Sequence, residues 1–273
     1  MQRRRRVNWQ VLRAVMAAAA VAVSSGLSTE AIASALKGEA FFDAPVAVLF
    51  FVGFLLAFWW LYQERRTFLT TRLYWHEVDP HKALIILLTL PNIVPQKANG
   101  SFPWVLEKDG DRVILEGKSL ENEANDPNLE KLRWNWQQLM RGILPHIGTL
   151  QVVYLLGSDG SGGGSFQYLG DAEELIKRYL SGVSVRRFVR PVDFEGDFEG
   201  LVDCLNQCVQ EIQRECRIRE KDIVIDVTGG QKTASIAGAM VTLNTRVTFQ
   251  YVSTTDPRKV RAYDVTVESP ISL

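Results

Sequence analysis

A run of nineteen residues without a charge, APVAVLFFVGFLLAFWWLY at positions 44–62, constrains this chain more than any other feature. It is as long as an α-helix needs to cross a hydrocarbon layer of roughly 30 Å. Trp59, Trp60 and Tyr62 at its end suit the aromatic belt of a membrane interface, and Arg65 and Arg66 suit an anchor beyond it. A transmembrane helix over 44–62 is the expectation.

The earlier apolar segment, 11–27, is Ala-rich, carries Arg13 at its start and fades into Ser24, Ser25 and Gly26. A cleaved signal peptide, an interfacial helix and a first membrane span running to about residue 35 compete for it. The charge pattern favours a two-helix hairpin. Arg3, Arg4, Arg5 and Arg6 then share the cytoplasmic side with Arg65, Arg66 and Arg72, while Glu30, Glu39 and Asp43 fall in or near the outer loop. Glu30 either marks that loop or faces a bundle interior. The organisation expected is a transmembrane region at 1–66, a connector at 67–81 and a cytosolic domain at 82–273. The implied location is the inner (cytoplasmic) membrane, with the lipid bilayer as a partner.

Lys plus Arg (31) equals Asp plus Glu (31), so no global field draws the chain to a polyanion, and duplex DNA is not an expected partner. Cys204, Cys208 and Cys216 lack the second pair that a zinc site or a disulfide framework requires, and read as core or boundary residues. No metal and no cofactor is expected.

From residue 82 onward, apolar runs of strand length alternate with amphipathic helices. Strands are expected at 82–90, 150–156, 183–189, 222–227 and 247–252, with an antiparallel edge strand at 260–267. Helices are expected at 172–180, 198–216 and 231–243. The Asp126-Pro127 start predicts another helix, with Leu129, Leu132, Trp136, Leu139, Met140 and Ile143 at helical spacing, and Trp134 and Trp136 in the core or at a subunit contact rather than stacked on a ligand. Asp109-Gly110 predicts a hairpin turn between 104–106 and 113–115. The pattern is that of an α/β fold, a Rossmann-like mainly parallel sheet with helices on both faces, preceded by N-terminal transmembrane helices.

Ligands of such sheets bind outside the carboxyl ends of the strands. Four loops leave those ends, and the fourth, within IDVTGGQKTAS at 225–235, carries the most chemistry. Gly229 and Gly230 permit close backbone approach, so consecutive N–H groups converge on an anion at a helix start. Lys232 supplies a cation in the first turn, and Thr228, Thr233 and Ser235 supply hydroxyls. Asp226 reads as a buried acceptor for loop N–H groups. A phosphate-binding P-loop fails because Gln231 separates Gly230 from Lys232, and a dinucleotide fingerprint fails because no Gly-x-Gly-x-x-Gly follows the first strand. Thr89 and Asn92 hold a second position at the end of the first strand. In the glycine- and serine-rich stretch 157–165, Ser158, Asp159 and Ser161 compete with a reading as flexible connector.

The segment Asp226-Val227-Thr228-Gly229-Gly230-Gln231-Lys232-Thr233-Ala234-Ser235, at the end of a fourth parallel strand, resembles the signature loop of CARF domains, the CRISPR-associated Rossmann fold. The resemblance covers about residues 82–273. It implies a homodimer, or a higher homo-oligomer, whose paired loops bind a cyclic oligoadenylate, cyclic tetra-adenylate being the expected ring, within type III CRISPR antiviral defence. On that resemblance Thr228, Gly229, Gly230, Lys232 and Thr233 contact the ligand backbone, with Thr89, Asn92 and Ser158 assisting. The first-strand loop departs from the family pattern, and the excursion at 92–126 is longer than a minimal domain needs.

Many CARF proteins carry a nuclease, and none is legible here. Arg141 to His146 is the nearest approach to an Arg-x4-6-His box, and reads better as a helix C-terminus. No catalytic residue is assigned. The leading expectation is a sensor whose ligand opens a membrane pore or depolarises the membrane. The alternatives are a membrane-tethered ring nuclease, and an unrelated nucleotide-binding Rossmann domain on a membrane anchor.

Overall fold

The computed structural model describes residues 70–268, except 99, 100, 161, 162, 244, 254 and 257, and upstream only positions 52, 55, 56 and 59. The segments at 11–35 and 44–62 therefore lie outside the described residues, apart from those four positions. Among the described residues, no helix is long and apolar enough to cross a membrane.

Among the described residues, ten strands and six α-helices follow one another from Thr70. The strands are β1 (Thr70–Glu77), β2 (Ala83–Leu88), β3 (Gln96–Ala98), β4 (Ser101–Lys108), β5 (Asp111–Leu115), β6 (Val152–Gly157), β7 (Ser184–Arg187), β8 (Ile223–Asp226), β9 (Thr248–Val252) and β10 (Val260–Glu268). The helices are α1 (Leu120–Ala124), α2 (Pro127–Leu132), α3 (Trp136–Ile143), α4 (Leu169–Tyr179), α5 (Phe198–Glu215) and α6 (Lys232–Thr242).

Seven strands form the main sheet, in the order β1-β10-β9-β8-β2-β6-β7. β2 pairs in parallel with both β6 and β8, β6 with β7, and β8 with β9, while β10 runs antiparallel to β9. All six residues of β2 are buried. Alternate side chains serve opposite faces, as strand geometry requires. Leu84, Ile86 and Leu88 join the core under α1 to α4, whereas Ala83, Ile85 and Leu87 join the core under α5 and α6. A strand buried on both sides reads as a continuous apolar run for this reason.

Three features depart from the sequence reading. The strand at 260–267 was expected at an edge, but β1 lies beyond β10, so Thr70–Glu77 in the expected connector is itself a strand of the sheet. The helix expected from Pro127 breaks at Arg133, whose φ of 53° ends α2 before α3 begins. Its apolar spacing survives the break because both pieces pack against one core. The hairpin is present, with Asp109 and Gly110 both at positive φ as a two-residue turn of this hand requires, but β3 makes it a separate three-stranded sheet. Cys204 and Cys208 lie on the buried face of α5, and all three cysteines are free.

Ile85 sits at 0% exposure in the central strand. Ile85→Ala is expected to cost about 2–5 kcal/mol by cavity formation, read as a lower urea midpoint with an unchanged slope.

Candidate functional site

Chain order places the switch point between β2 and β8. From β2 the chain crosses to β6 and β7 on one side, then returns to β8 and β9 on the other. The loops leaving β2 and β8 diverge there and leave a crevice. A cleft of about 430 Å³ occupies it, lined by Thr89 and Leu90 after β2, by Ser158 to Gly160 after β6, by Asp193 to Glu195 after β7, and by Gly229 and Gln231 after β8.

The 226–231 loop is held from beneath. Asp226 is buried, and its Oδ1 accepts the Thr228 N–H at 2.8 Å. Its Oδ2 accepts from Gln250 Nε2 at 2.7 Å. Burial pushes the Asp226 carboxyl up, against the pull of Gln250 and Thr228. The Thr228 hydroxyl oxygen accepts the Val252 N–H at 2.9 Å, so this side chain ties the loop to β9. Gly229 presses on the end of β2: a Cβ there would stand 2.1 Å from the Leu87 carbonyl oxygen. Gly230 donates to the Val227 carbonyl at 3.2 Å and closes the turn.

α6 starts at Lys232 with Gln231 as its N-cap, and the Gln231 side chain makes no capping bond. Ser119, Asp126 and Asp197 cap α1, α2 and α5, whereas α3 and α4 share the uncapped start of α6. The first turn of a helix leaves donors free and a partial positive charge, so an anion is stabilised at this point. Lys232 is exposed there, and Thr233 is half-buried.

The expected residues do not all converge. Thr89, Ser158 and Gly229 line the cleft, and Thr228 lines a small void beside them with Thr89 and Gly229. Gly230, Lys232 and Thr233 flank the cleft-lining Gln231 in sequence. Asn92 lies elsewhere: its Nδ2 donates to Arg133 O at 2.7 Å and its Oδ1 accepts the Asn135 N–H at 3.1 Å, so its side chain joins the β2 exit to α3. The Ser158 hydroxyl is also committed, accepting from Ser165 N at 3.1 Å and lying 3.0 Å from Ser165 Oγ. Ser165 Oγ in turn donates to Leu88 O at 2.6 Å, so this serine pair fastens the β6 loop to β2.

Of the acidic wall, sequence reasoning singled out Asp159 and missed Asp193 and Glu195. Asp159, Asp193 and Glu195 face the cleft from the β6 and β7 loops. Asp193 has a local duty: its Oδ1 accepts the Glu195 and Gly196 N–H groups at 2.9 Å each, and these hold its carboxyl below the usual range. Asp-Phe-Glu-Gly after a strand is a turn signal that marks this loop, but not its aim. The cleft is thus bipolar, with N–H donors at one wall and carboxylate acceptors at the other.

The histidines stand apart from it. His81 precedes β2 and His146 precedes β6, so both belong to the amino ends of the strands. Arg141 Nε donates to Ala124 O at 2.8 Å, and His146 Nε2 lies 2.7 Å from Gln250 Oε1. The two residues of the nuclease-like spacing are therefore committed to different structural partners.

No family model matches the chain. A protein of Aquifex aeolicus (strain VF5), described as uncharacterized, is 33% identical over 136 residues. That match covers 50% of this chain and 42% of the relative, so the chain spans less than half of the relative's length. Among solved structures, Enterococcus italicus Csm6 bound to cyclic hexa-2'-fluoro-hexa-dAMP aligns over 64% of this chain and 34% of its own, at 16% identity and a TM-score of 0.37. The reading of the site accordingly rests on this chain's own residues.

Two outcomes follow from the loop and its support. Gly229→Ala drives a methyl into the Leu87 carbonyl, and is expected to destabilise by about 1–3 kcal/mol, measured by urea unfolding. Burial lowers His146 from its ordinary 6.5 to about 4. The unfolded chain therefore takes up this proton first as pH falls, so the stability contribution is complete above 6.5 and lost toward about 4. Its size is roughly 3 kcal/mol. His81, also lowered by burial, adds in the same sense, while the raised carboxyl of Asp226 acts in the opposite one. The loss of unfolding free energy between neutral and mildly acid buffer should shrink in His146→Gln.

Proposed function

We propose that the sheet domain senses a cyclic oligoadenylate, cyclic tetra-adenylate being the ring of choice, and acts with the apolar N-terminal region as a membrane effector of antiviral defence. The observation that carries this reading is the position of the Asp226 to Ser235 loop. Its glycines, its uncapped helix start and Lys232 sit at the sheet's switch point, beside a cleft.

The chemistry of the cleft fits an adenine nucleotide. Phosphate oxygens suit the Gly229 N–H, the N–H groups at the start of α6 and the ammonium of Lys232. The exocyclic amino group of adenine is a donor, and Asp159 and Glu195 are acceptors on the opposite wall. The cleft has the size of a pocket for one small ligand. A macrocycle would fill it in part and offer its other half to a second copy in an isologous pair.

For the ligand to do work, it must bind one conformational state better than the other. The chain between 63 and 80 leads from the apolar run into the sheet, and would carry the shift toward the membrane. The output is an ion leak.

Titration calorimetry of the full-length chain in detergent micelles with cyclic tri-, tetra- and hexa-adenylate, followed by chromatography of the products, tests this. The expected outcome is selective binding of one ring, weakened about tenfold or more in Lys232→Ala, with the ring recovered intact. Cleavage of the ring would establish the membrane-tethered nuclease instead. Absence of binding to all three would leave a Rossmann-like domain with another ligand. Ligand-dependent dye or ion release from proteoliposomes then decides the effector role.

A further inference from the structure

A line of buried polar groups runs beneath the ligand loop. His146 and Gln250 are fully buried, and Asp226 and His81 are 4% exposed. The His81 backbone N–H donates to His146 Nδ1 at 3.0 Å. Because a backbone N–H can only donate, Nδ1 is the acceptor nitrogen, and the proton of the neutral ring sits on Nε2. Nε2 therefore donates to Gln250 Oε1 at 2.7 Å. That orients the amide, and Gln250 Nε2 donates both to Gly142 O and to Asp226 Oδ2, each at 2.7 Å. The line ends at Thr228, whose N–H donates to Asp226 Oδ1.

Every bond in this line has one permitted direction, because both of its ends are fixed: a donor at His81 and a carboxylate at Asp226. Reversing the Gln250 amide would place its oxygen against Asp226, and its N–H groups against the N–H of His146. Room has been left for the arrangement as well. A Cβ on Gly142 would lie 2.3 Å from Asp226 Oδ2.

Fold stability does not require such a line. Replacing buried hydrogen-bonded partners by apolar groups of similar shape is often neutral or stabilising. What apolar groups would not do is aim the Asp226 carboxylate at the Thr228 N–H. We infer that Gln250 and His146 are positioning residues of the ligand loop: they hold Asp226 in the rotamer that sets the Thr228-Gly229-Gly230 turn. This deepens the proposed function and rests on it only for the identity of the ligand.

Other charged or titratable groups near the line are Asp79, Asp222 and His76 beside His81. The His81 ring is occupied separately, at 2.6 Å from Asp79 O and 3.2 Å from Thr248 Oγ1. It takes no part in aiming the carboxylate.

The test uses the full-length protein in detergent, with hydrogen–deuterium exchange of the peptide spanning 226–231 as a readout that needs no ligand. Loss of one hydrogen bond to a charged group corresponds to roughly a ten- to hundredfold change. Gln250→Met should accelerate exchange in that peptide by this factor, while peptides from α4 keep their protection. His146→Leu should do the same, and His146→Gln, which retains an acceptor and a donor, should restore slow exchange. Nitrogen-15 spectra should show His146 protonated at Nε2. Titration with cyclic tetra-adenylate should show the same loss and rescue. Unchanged loop exchange in both Gln250→Met and His146→Leu, or a proton on His146 Nδ1, would overturn the inference. If the wild-type chain binds no cyclic oligoadenylate, the functional reading falls, while the exchange and tautomer results still decide the positioning role.

Discussion

The parallel pairing of β2 with both β6 and β8 is the constraint on which the rest of the domain depends. A strand paired on both edges and covered on both faces admits no polar side chain along its length, and Ala83 to Leu88 supplies none. Its central position separates the two helical layers. Its carboxyl end also becomes the floor on which three segments meet: Gly229 packs on Leu87, Ser165 reaches Leu88, and Trp136 Nε1 of α3 donates to Thr89 O at 2.9 Å. A site built on such a floor inherits the rigidity of the most buried element in the chain.

Two polar regions bear on the site within this apolar frame. One is the cleft, where donors and carboxylates face each other in reach of solvent. The other is the dry line from His81 to Asp226, where full hydrogen bonding removes the penalty of burial. The two meet at Thr228, which spends its N–H on the buried side and its hydroxyl oxygen on β9. Thr228 is thus a strut of the loop.

Much of the fold was legible because burial imposes periodicity. The parallel strands and three long helices fall near their expected places, and the Asp109-Gly110 turn follows from the positive φ it must adopt. The turn between β8 and α6 was legible too, since paired glycines after a strand-length apolar run mark a tight passage into a helix. Asn92 and Ser158 were not legible as structural residues. A side chain's partner 43 or 7 positions away is invisible to spacing, and both polar groups turned out to be committed within the fold.

Sequence by itself determined the alternation of strand and helix, the two-sided burial of β2 and the glycine-rich turn after β8, because each depends on neighbours along the chain. Only the tertiary structure decided that Thr70–Glu77 belongs to the sheet, that Arg133 divides the helix, and that carboxylates from the β6 and β7 loops face the Gly229 turn. It also decided that His146 and Gln250, 104 residues apart, share a proton-ordered line to Asp226. The physical reason is common to all of these. Local pattern records which face of an element is buried, whereas the partner that a polar group meets there depends on how distant elements stack.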